Sequence, residues 1–163
     1  MYFEQGDLLR GMNKDFVKEF INLAIKESHK KGYFLFREGN RANYFYILLK
    51  GRVKITIGET GHAVYTVDHP GEVFGWSSLV GRNAYFASAE CREPTKILKF
   101  GIKKLQRILE KDPSNGLIFF KRLSGTLGNR LLQTYNMIYG ASQPGISPSF
   151  GTGQVQESLA TNA

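Results

Sequence analysis

The chain has 163 residues, 42% of them apolar and 13% aromatic, which is enough for one domain with a filled core but not comfortably for two. Its 22 Lys and Arg residues outnumber its 14 Asp and Glu residues, and the formal charge of +8 favours acidic partners such as phosphates, nucleic acid or an acidic protein. No window approaches the roughly 20 apolar residues of a membrane span, and the first residues lack the order of a secretory signal. We therefore expect a cytoplasmic protein without a membrane segment. The single cysteine, Cys91, excludes an internal disulfide and is expected to fill space in a strand.

The first predicted element is a helix. Apolar residues such as Phe16, Phe20 and Ile21 recur at helical spacing, and Asn13 suits the N-cap position. The pattern predicts an amphipathic helix over residues 13–31.

Short runs rich in β-branched and aromatic residues follow, separated by Gly and Pro turns. The predicted strands are 33–37, 44–49, 53–57, 63–67, 86–90 and 96–100. Because they are flanked by helices rather than alternating with them, we predict a mainly β fold with flanking helices, an antiparallel β-roll of the jelly-roll or double-stranded β-helix type. Within the third run, alternation predicts that Val53, Ile55 and Ile57 share the core face.

Two helices are predicted to close the domain. One covers residues 103–110, Asp112 and Pro113 break it, and Ser114 is a candidate cap for a second helix reaching about Tyr139. The apolar stripe of this long helix exceeds what the roll should need, so we expect a homodimer, with core packing alone as the alternative. The stripe comprises Leu117, Phe120, Leu127, Leu131 and Ile138.

The domain is expected to span residues 1–139. Residues 140–163 contain one charged residue, Glu157, and are rich in Gly, Ser, Thr and Gln. Such a composition offers too little apolar surface to offset the entropy of ordering, so we expect a flexible tail.

The residues that indicate a ligand-binding site are concentrated in the segment 70–84. Gly71 and Gly75 allow backbone amides to approach a ligand, and the small hydroxyl residues Ser77 and Ser78 begin a short predicted helix whose amides would meet an anion. This pattern predicts a phosphate cradle, while a tight turn in a β-protein is the alternative. The candidate ligand-binding residues are Gly71, Glu72, Val73, Phe74, Gly75, Trp76, Ser77, Ser78, Arg82, Asn83 and Ala84.

Three stretches, 31–39, 44–53 and 70–89, resemble in order and spacing the cyclic-nucleotide-binding domain family, which includes the catabolite activator proteins and the regulatory subunits of cyclic-AMP-dependent kinase. The likeness covers residues 8–138. It implies a β-roll with an N-terminal helix, a short cassette helix and a long C-terminal helix, and a ligand that is cyclic AMP, cyclic GMP or another small anion. The chain lacks the family's DNA-binding helix-turn-helix domain, so we expect a stand-alone module that does not bind DNA directly and that acts on an effector protein.

Two positions depart from the family's cassette. Trp76 replaces the Glu that accepts a hydrogen bond from the ribose, and Asn83 replaces the Arg that pairs with the phosphate, with Arg82 one position earlier. Losing one charge-assisted hydrogen bond costs on the order of 1.5–3 kcal/mol, about ten- to a hundred-fold in affinity. Trp76 either stacks on a flat ligand or fills the nucleotide's space.

Several functions therefore stay open. The leading hypothesis is a ligand-sensing regulatory and signalling module, and its rivals are a degenerate roll acting as a protein-interaction scaffold and a fragment of a transcription regulator. Weak nucleic-acid binding through the net charge is a further hypothesis. Because His29, His62 and His69 are scattered and no Walker, Rossmann or nucleophile-elbow pattern occurs, we assign no catalytic residue and no metal ligand and do not expect an enzyme.

Overall fold

Eight antiparallel strands form two four-stranded sheets in this computed structural model, which describes residues 7–141. The first sheet has the order β1-β8-β3-β6 and the second the order β2-β7-β4-β5, which is the predicted roll. The strands are β1 Ile25–His29, β2 Phe34–Phe36, β3 Tyr44–Lys50, β4 Val53–Ile57, β5 His62–Val67, β6 Val73–Phe74, β7 Ser88–Cys91 and β8 Thr95–Gly101.

The N-terminal helix, α1, is shorter than predicted and covers Lys14–Asn22. Asn13 is its N-cap, because its side-chain oxygen accepts a hydrogen bond from the Phe16 amide at 2.8 Å. The prediction of helix up to residue 31 is wrong, since residues from Ile25 onward form β1 and pair with β8 from Ile25 opposite Lys99 to His29 opposite Thr95. Pairing with a strand some seventy residues away overrides the local helical spacing.

The interior of the roll is filled where the inner faces of both sheets meet. The prediction for β4 holds for Val53 and Ile55, but Ile57 is exposed and Thr56 is buried instead. The pairing of β4 with β5 shifts register between Ile55 and Thr56, and this irregularity reverses the faces of the residues that follow. The buried interior cluster comprises Phe36, Ala42, Tyr46, Leu48, Val53, Ile55, Val67, Phe74, Tyr85, Ala87, Ala89 and Ile97.

Helices cover the part of the outer face of the first sheet that carries Phe45 and Phe100. Phe20 of α1 is fully buried, and its ring lies 4.6 Å from that of Phe100 on β8 and 6.0 Å from that of Phe119. These rings form a second apolar layer that joins the N-terminal and C-terminal helices to the roll.

The two C-terminal helices are α2, Ile102–Lys111, and α3, Pro113–Ala141. The break at Asp112 and Pro113 is confirmed, but Asp112 rather than Ser114 caps α3, because its carboxylate accepts a hydrogen bond from the Asn115 amide at 3.1 Å. Pro113 then occupies the first helical position, where no backbone donor is needed. The Asn13 amide donates to the buried Asn115 side chain at 3.2 Å, so the starts of α1 and α3 are tied together.

The chain divides into two units, residues 1–124 with the roll and a second unit beginning at Gly125. In the described residues the second unit is the remainder of α3. Residues 140 and 141 of the predicted tail continue this helix, and the rest of the tail lies outside the described residues. The assignment of residues 1–139 to one domain stays a prediction. None of the helices in the described range is sufficiently long and apolar to span a membrane.

Candidate functional site

The cassette is built around glycines in left-handed conformations. Gly71 (φ 90°) donates its amide to the Leu48 carbonyl at 2.8 Å and so fixes the start of the cassette against β3. Gly75 (φ 71°) ends β6 and precedes a short 3₁₀ helix, Trp76–Val80, which Gly81 (φ 80°) terminates. A Cβ at Gly75 would lie 2.7 Å from the Tyr46 ring, so this position accommodates only glycine without rearrangement.

The Glu72 carboxylate accepts hydrogen bonds from neighbouring groups of its own chain. One carboxylate oxygen accepts a hydrogen bond from the Tyr65 hydroxyl at 2.7 Å, and the other accepts from the amides of Asp68 and His69 at 2.9 and 2.8 Å. These three bonds close the turn between β5 and β6. The residue predicted to bind ligand thus shapes the loop that carries the cassette.

The two serines of the cassette helix differ in their surroundings. Ser77 is 1% exposed, and its carbonyl accepts the Arg82 amide at 3.1 Å. Ser78 is 9% exposed, and its hydroxyl has no hydrogen-bond partner among the described residues. A buried hydroxyl without a partner costs about 1–3 kcal/mol, so Ser78 is a polar group that a ligand or a water could satisfy.

The predicted cation, Arg82, and the residues that follow it lie on the surface, whereas Gly75 and Ser77 of the predicted anion-binding helix are buried. Arg82, Asn83 and Ala84 are all exposed. Their backbone is held to the loop before β3, since the Ala42 amide donates to the Asn83 carbonyl at 2.9 Å and Ala84 bridges Arg41. Both side chains on which phosphate binding was predicted to depend are therefore accessible beside a fixed backbone.

Trp76 is half-buried and packs on Phe86, with ring centroids 4.9 Å apart. It is not one of the residues packed against the interior cluster. The rings that fill the interior next to the cassette belong to Phe36, Tyr46, Phe74 and Tyr85. The sequence singled out only Phe74 among them, as a candidate ligand-binding residue.

These four interior rings form two stacked pairs. Phe36 lies 3.8 Å from Tyr85, and Tyr46 lies 5.1 Å from Phe74. The Tyr85 hydroxyl donates to the Tyr44 carbonyl at 2.7 Å, and burial raises the pKa of both Tyr46 and Tyr85, so both phenols stay neutral at physiological pH. The sequence of β3 is a continuous apolar run without alternation, so it could not assign Tyr46 to the inner face, nor could it identify the partners of Tyr46 on other strands.

A polar cluster lies on the inner face of the first sheet at β1, and the sequence did not reveal it because β1 was predicted as helix. Glu27 binds Lys99 at 3.2 Å and His29 at 2.9 Å, and the Lys99 ammonium lies 4.1 Å from the centre of the Tyr44 ring. Burial raises the pKa of Glu27, but hydrogen bonds from His29 and Lys99 and their charges lower it more, so the net shift is downward.

The Glu27 cluster gives a pH-dependent expectation. A carboxyl whose pKa is lower in the folded state stabilises the protein above its unfolded pKa, about 4.3, and this contribution is lost as the pH falls through the folded pKa. We expect Glu27→Gln to cost about 0.5–1 kcal/mol near neutral pH and progressively less below about pH 4. Urea unfolding of both proteins across this range measures the difference. The exposed Glu59→Gln is the control, and a cost for Glu27→Gln that does not fall at low pH would contradict the assignment.

A second cluster of titratable groups, Asp68, His69 and Glu72, has ligand atoms within 4.8 Å of one another. The Asp68 carboxylate lies 2.7 Å from His69, and both side chains are exposed, so this is a local pair in contact with solvent. Because Glu72 already accepts bonds from the turn, this geometry is explained without a metal. The absence of a metal site stays a prediction.

The roll, the glycine-bounded cassette and the flanking helices define a ligand-binding domain, and comparison with known proteins gives its family. The chain belongs to the cyclic nucleotide-binding domain family, whose model matches residues 26–112, more than half of the chain. The predicted family and fold are confirmed.

Individual relatives are similar over part of their length. The chain is 30% identical over 95 residues to human cGMP-dependent protein kinase 2, covering 56% of this chain and 12% of the kinase. It is 30% identical over 118 residues to the global nitrogen regulator of Synechocystis, covering 70% of this chain and 51% of the regulator. It thus spans about an eighth of the first relative and half of the second.

Among solved structures, a cyclic nucleotide-binding domain from Methylobacillus flagellatus is 18% identical, with a TM-score of 0.77 over 90% of this chain and 86% of that domain. At this identity the likeness shows the fold alone.

Proposed function

We propose that the chain is a ligand-sensing regulatory module whose cassette, residues 71–84, binds a cyclic nucleotide or another small anionic ligand. The observation that carries the proposal is the buried, unpartnered Ser78 hydroxyl in a glycine-bounded cassette of this family. The exposed Arg82 supplies a cation close by in the same loop. The name of the kinase relative supports cyclic GMP as one candidate ligand, and cyclic AMP is the other nucleotide expected.

A structural change caused by ligand binding would be transmitted through the junction of α2 and α3. Asp112 ends α2 and caps α3, and its carboxylate accepts a 2.7 Å hydrogen bond from the Asn115 side chain, which also holds the start of α1. A ligand shifts the helices only by its differential affinity for two of their positions. The module would then act on a cytoplasmic effector protein, without catalysis of its own.

The ligand site is tested by thermal-shift titration with cyclic AMP, cyclic GMP, cyclic dinucleotides and small anions, with Trp76 fluorescence read in parallel. For any probe that gives a saturable shift, we expect Arg82→Ala to weaken binding about ten- to a hundred-fold and Ser78→Ala to weaken it as well. Without ligand, Ser78→Ala should raise the free energy of unfolding by about 1 kcal/mol, since it removes an unsatisfied hydroxyl. Arg107→Ala, on α2, is the matched control and should leave affinity unchanged. Equal losses for Arg82→Ala and Arg107→Ala would contradict the cassette as the site.

The aromatic interior supports a second candidate function. Four rings, Phe36, Tyr46, Phe74 and Tyr85, already fill the space inside the roll, which favours a degenerate member that binds no small molecule and acts as an interaction scaffold. This alternative fails if any nucleotide raises the melting temperature in a saturable way. The half-length match to a nitrogen regulator supports the further reading that the module acts as part of a transcription regulator.

We also propose that α3 forms a homodimer. Exposed apolar residues support it: Leu117 is 71% exposed, Leu131 49% and Ile138 43%, and Phe120 and Leu127 continue the sequence stripe. Analytical ultracentrifugation at tens of micromolar is expected to show a dimer, because burying a Leu side chain is worth about 1.5–3 kcal/mol. Leu131→Glu should dissociate it, whereas Gln133→Glu, which adds the same charge away from the stripe, should not. A monomer for the unaltered protein would refute the proposal.

A further inference from the structure

Strand β1 is an edge of the first sheet. It pairs with β8 on one side, and no other strand of the described chain lies on its other side. Within residues 7–141, no backbone hydrogen bond outside the β1–β8 ladder involves residues 25–29. Ile25 is 52% exposed, and Lys26 and Ser28 are exposed as well. The backbone groups on this edge are therefore accessible to an added strand.

The outer face beside this edge carries lysines. Lys96 of β8 lies directly opposite Ser28 on one side and Lys50 of β3 on the other, and Lys26 shares this face two residues before Ser28. All three lysines are exposed, and none is in an ion pair within the described part of the chain. Like charges directly opposite one another in a sheet are destabilising. An anionic partner would remove this cost.

The inner face at the same edge carries no lysine of β1 and has different side chains. Its side chains are the exposed Ile25 and then Glu27 and His29. Glu27 already binds both His29 and Lys99. A strand added to β1 would thus place one set of alternate side chains beside the exposed Ile25 and the other beside Lys26 and Ser28.

We propose that β1 is a docking edge for an extended acidic segment of a partner protein, which adds a strand to the first sheet with apolar and acidic residues in alternation. The backbone of β1 would supply hydrogen bonds, and Lys26 and Lys96 would select acidic side chains on the outer face. The free edge favours a peptide over a nucleic acid, because a peptide backbone presents N–H donors and C=O acceptors at the spacing of an edge strand. Lysine on an edge strand also disfavours pairing with strands that lack acidic residues, because its charge would lose water without gaining a partner. This inference goes beyond the proposed ligand site and does not depend on it.

The test uses the full chain and a fluorescein-labelled peptide of Val-Glu repeats about eight residues long, within the usual length of a strand. Fluorescence anisotropy should show saturable binding that weakens with salt, and backbone amide shifts should change for residues 25–29. Lys26→Glu and Lys96→Glu should each weaken binding about tenfold. Lys103→Glu on α2 makes the same charge change on another surface and should have little effect.

Controls separate the alternatives. A peptide of the same composition with its Val and Glu residues in two blocks should bind weakly, and a short DNA duplex should bind more weakly than the alternating peptide. The proposal is overturned by equal binding of the blocked peptide, by tighter binding of the duplex, by an equal loss with Lys103→Glu, or by the absence of binding. None of these results bears on the cassette, so the proposed ligand function is tested separately.

Discussion

Replacing Phe20 with alanine is expected to lower the free energy of unfolding by about 3–5 kcal/mol. The side chain is fully buried between helix and sheet, with its ring 4.6 Å from Phe100 and 6.0 Å from Phe119. Truncation leaves a cavity bordered by three separate elements, α1, β8 and α3. Urea unfolding followed by circular dichroism measures the loss.

The control for Phe20 is Phe86→Ala. Phe86 is 42% exposed and contacts Trp76, so its truncation should cost about 1 kcal/mol or less. If the two variants lose similar stability, the helices do not pack on the sheet as described.

The second large effect is expected for Gly75→Ala, which should lower the free energy of unfolding by about 2–5 kcal/mol. A left-handed backbone costs a non-glycine residue about 1–2 kcal/mol, and forcing an atom into a packed site costs about 1–3 kcal/mol more. Both apply here, since Gly75 has a φ of 71° and a Cβ would lie 2.7 Å from Tyr46. We also expect a change in Trp76 fluorescence, because Trp76 follows directly in the chain.

Gly81→Ala is the matched variant for Gly75. Gly81 has a φ of 80° at the other end of the same 3₁₀ helix, but a Cβ there meets nothing within 4 Å. It should therefore show only the backbone cost of about 1–2 kcal/mol. Equal destabilisation by the two changes would mean that contact with Tyr46 does not determine the conformation of the cassette.

The elements that the sequence predicted best are marked by patterns among residues that are close together in the chain. The strand predicted over 53–57 is β4 itself, and the break at Asp112 follows from Pro113, which cannot donate the backbone hydrogen bond of a helix interior. Strand β6, Val73–Phe74, was not predicted, because two residues are too few to show a period. Strand β1 was predicted as helix because Ile25 is its only apolar residue, so the strand has no alternation of its own and was read as the end of the preceding helical pattern. Its pairing with β8 determines the strand.

The candidate site also has features that the sequence revealed and features that it did not. The cassette is contiguous, so its glycines and serines were recognisable in the sequence. The role of Glu72 was not recognisable, although its partners Tyr65, Asp68 and His69 lie within seven residues of it, because such a turn leaves no periodic pattern in the sequence. The two aromatic pairs in the interior join Phe36 to Tyr85 and Tyr46 to Phe74, across gaps that no local period spans.

By itself, the sequence determined the family, the β-roll, the position of the cassette and its departures at Trp76 and Asn83. All of these depend on residues that are neighbours in the chain or recur at a fixed spacing. Only the tertiary structure decided which side chains fill the roll and that β1 is an edge beside three lysines. It also decided that Glu72 holds the turn between β5 and β6 by hydrogen bonds, and that the Ser78 hydroxyl is buried without a partner among the described residues. The filling of the roll and the edge position of β1 depend on contacts between distant segments, whose register is set by packing of the whole sheet. The turn held by Glu72 is local, but it leaves no periodic pattern in the sequence.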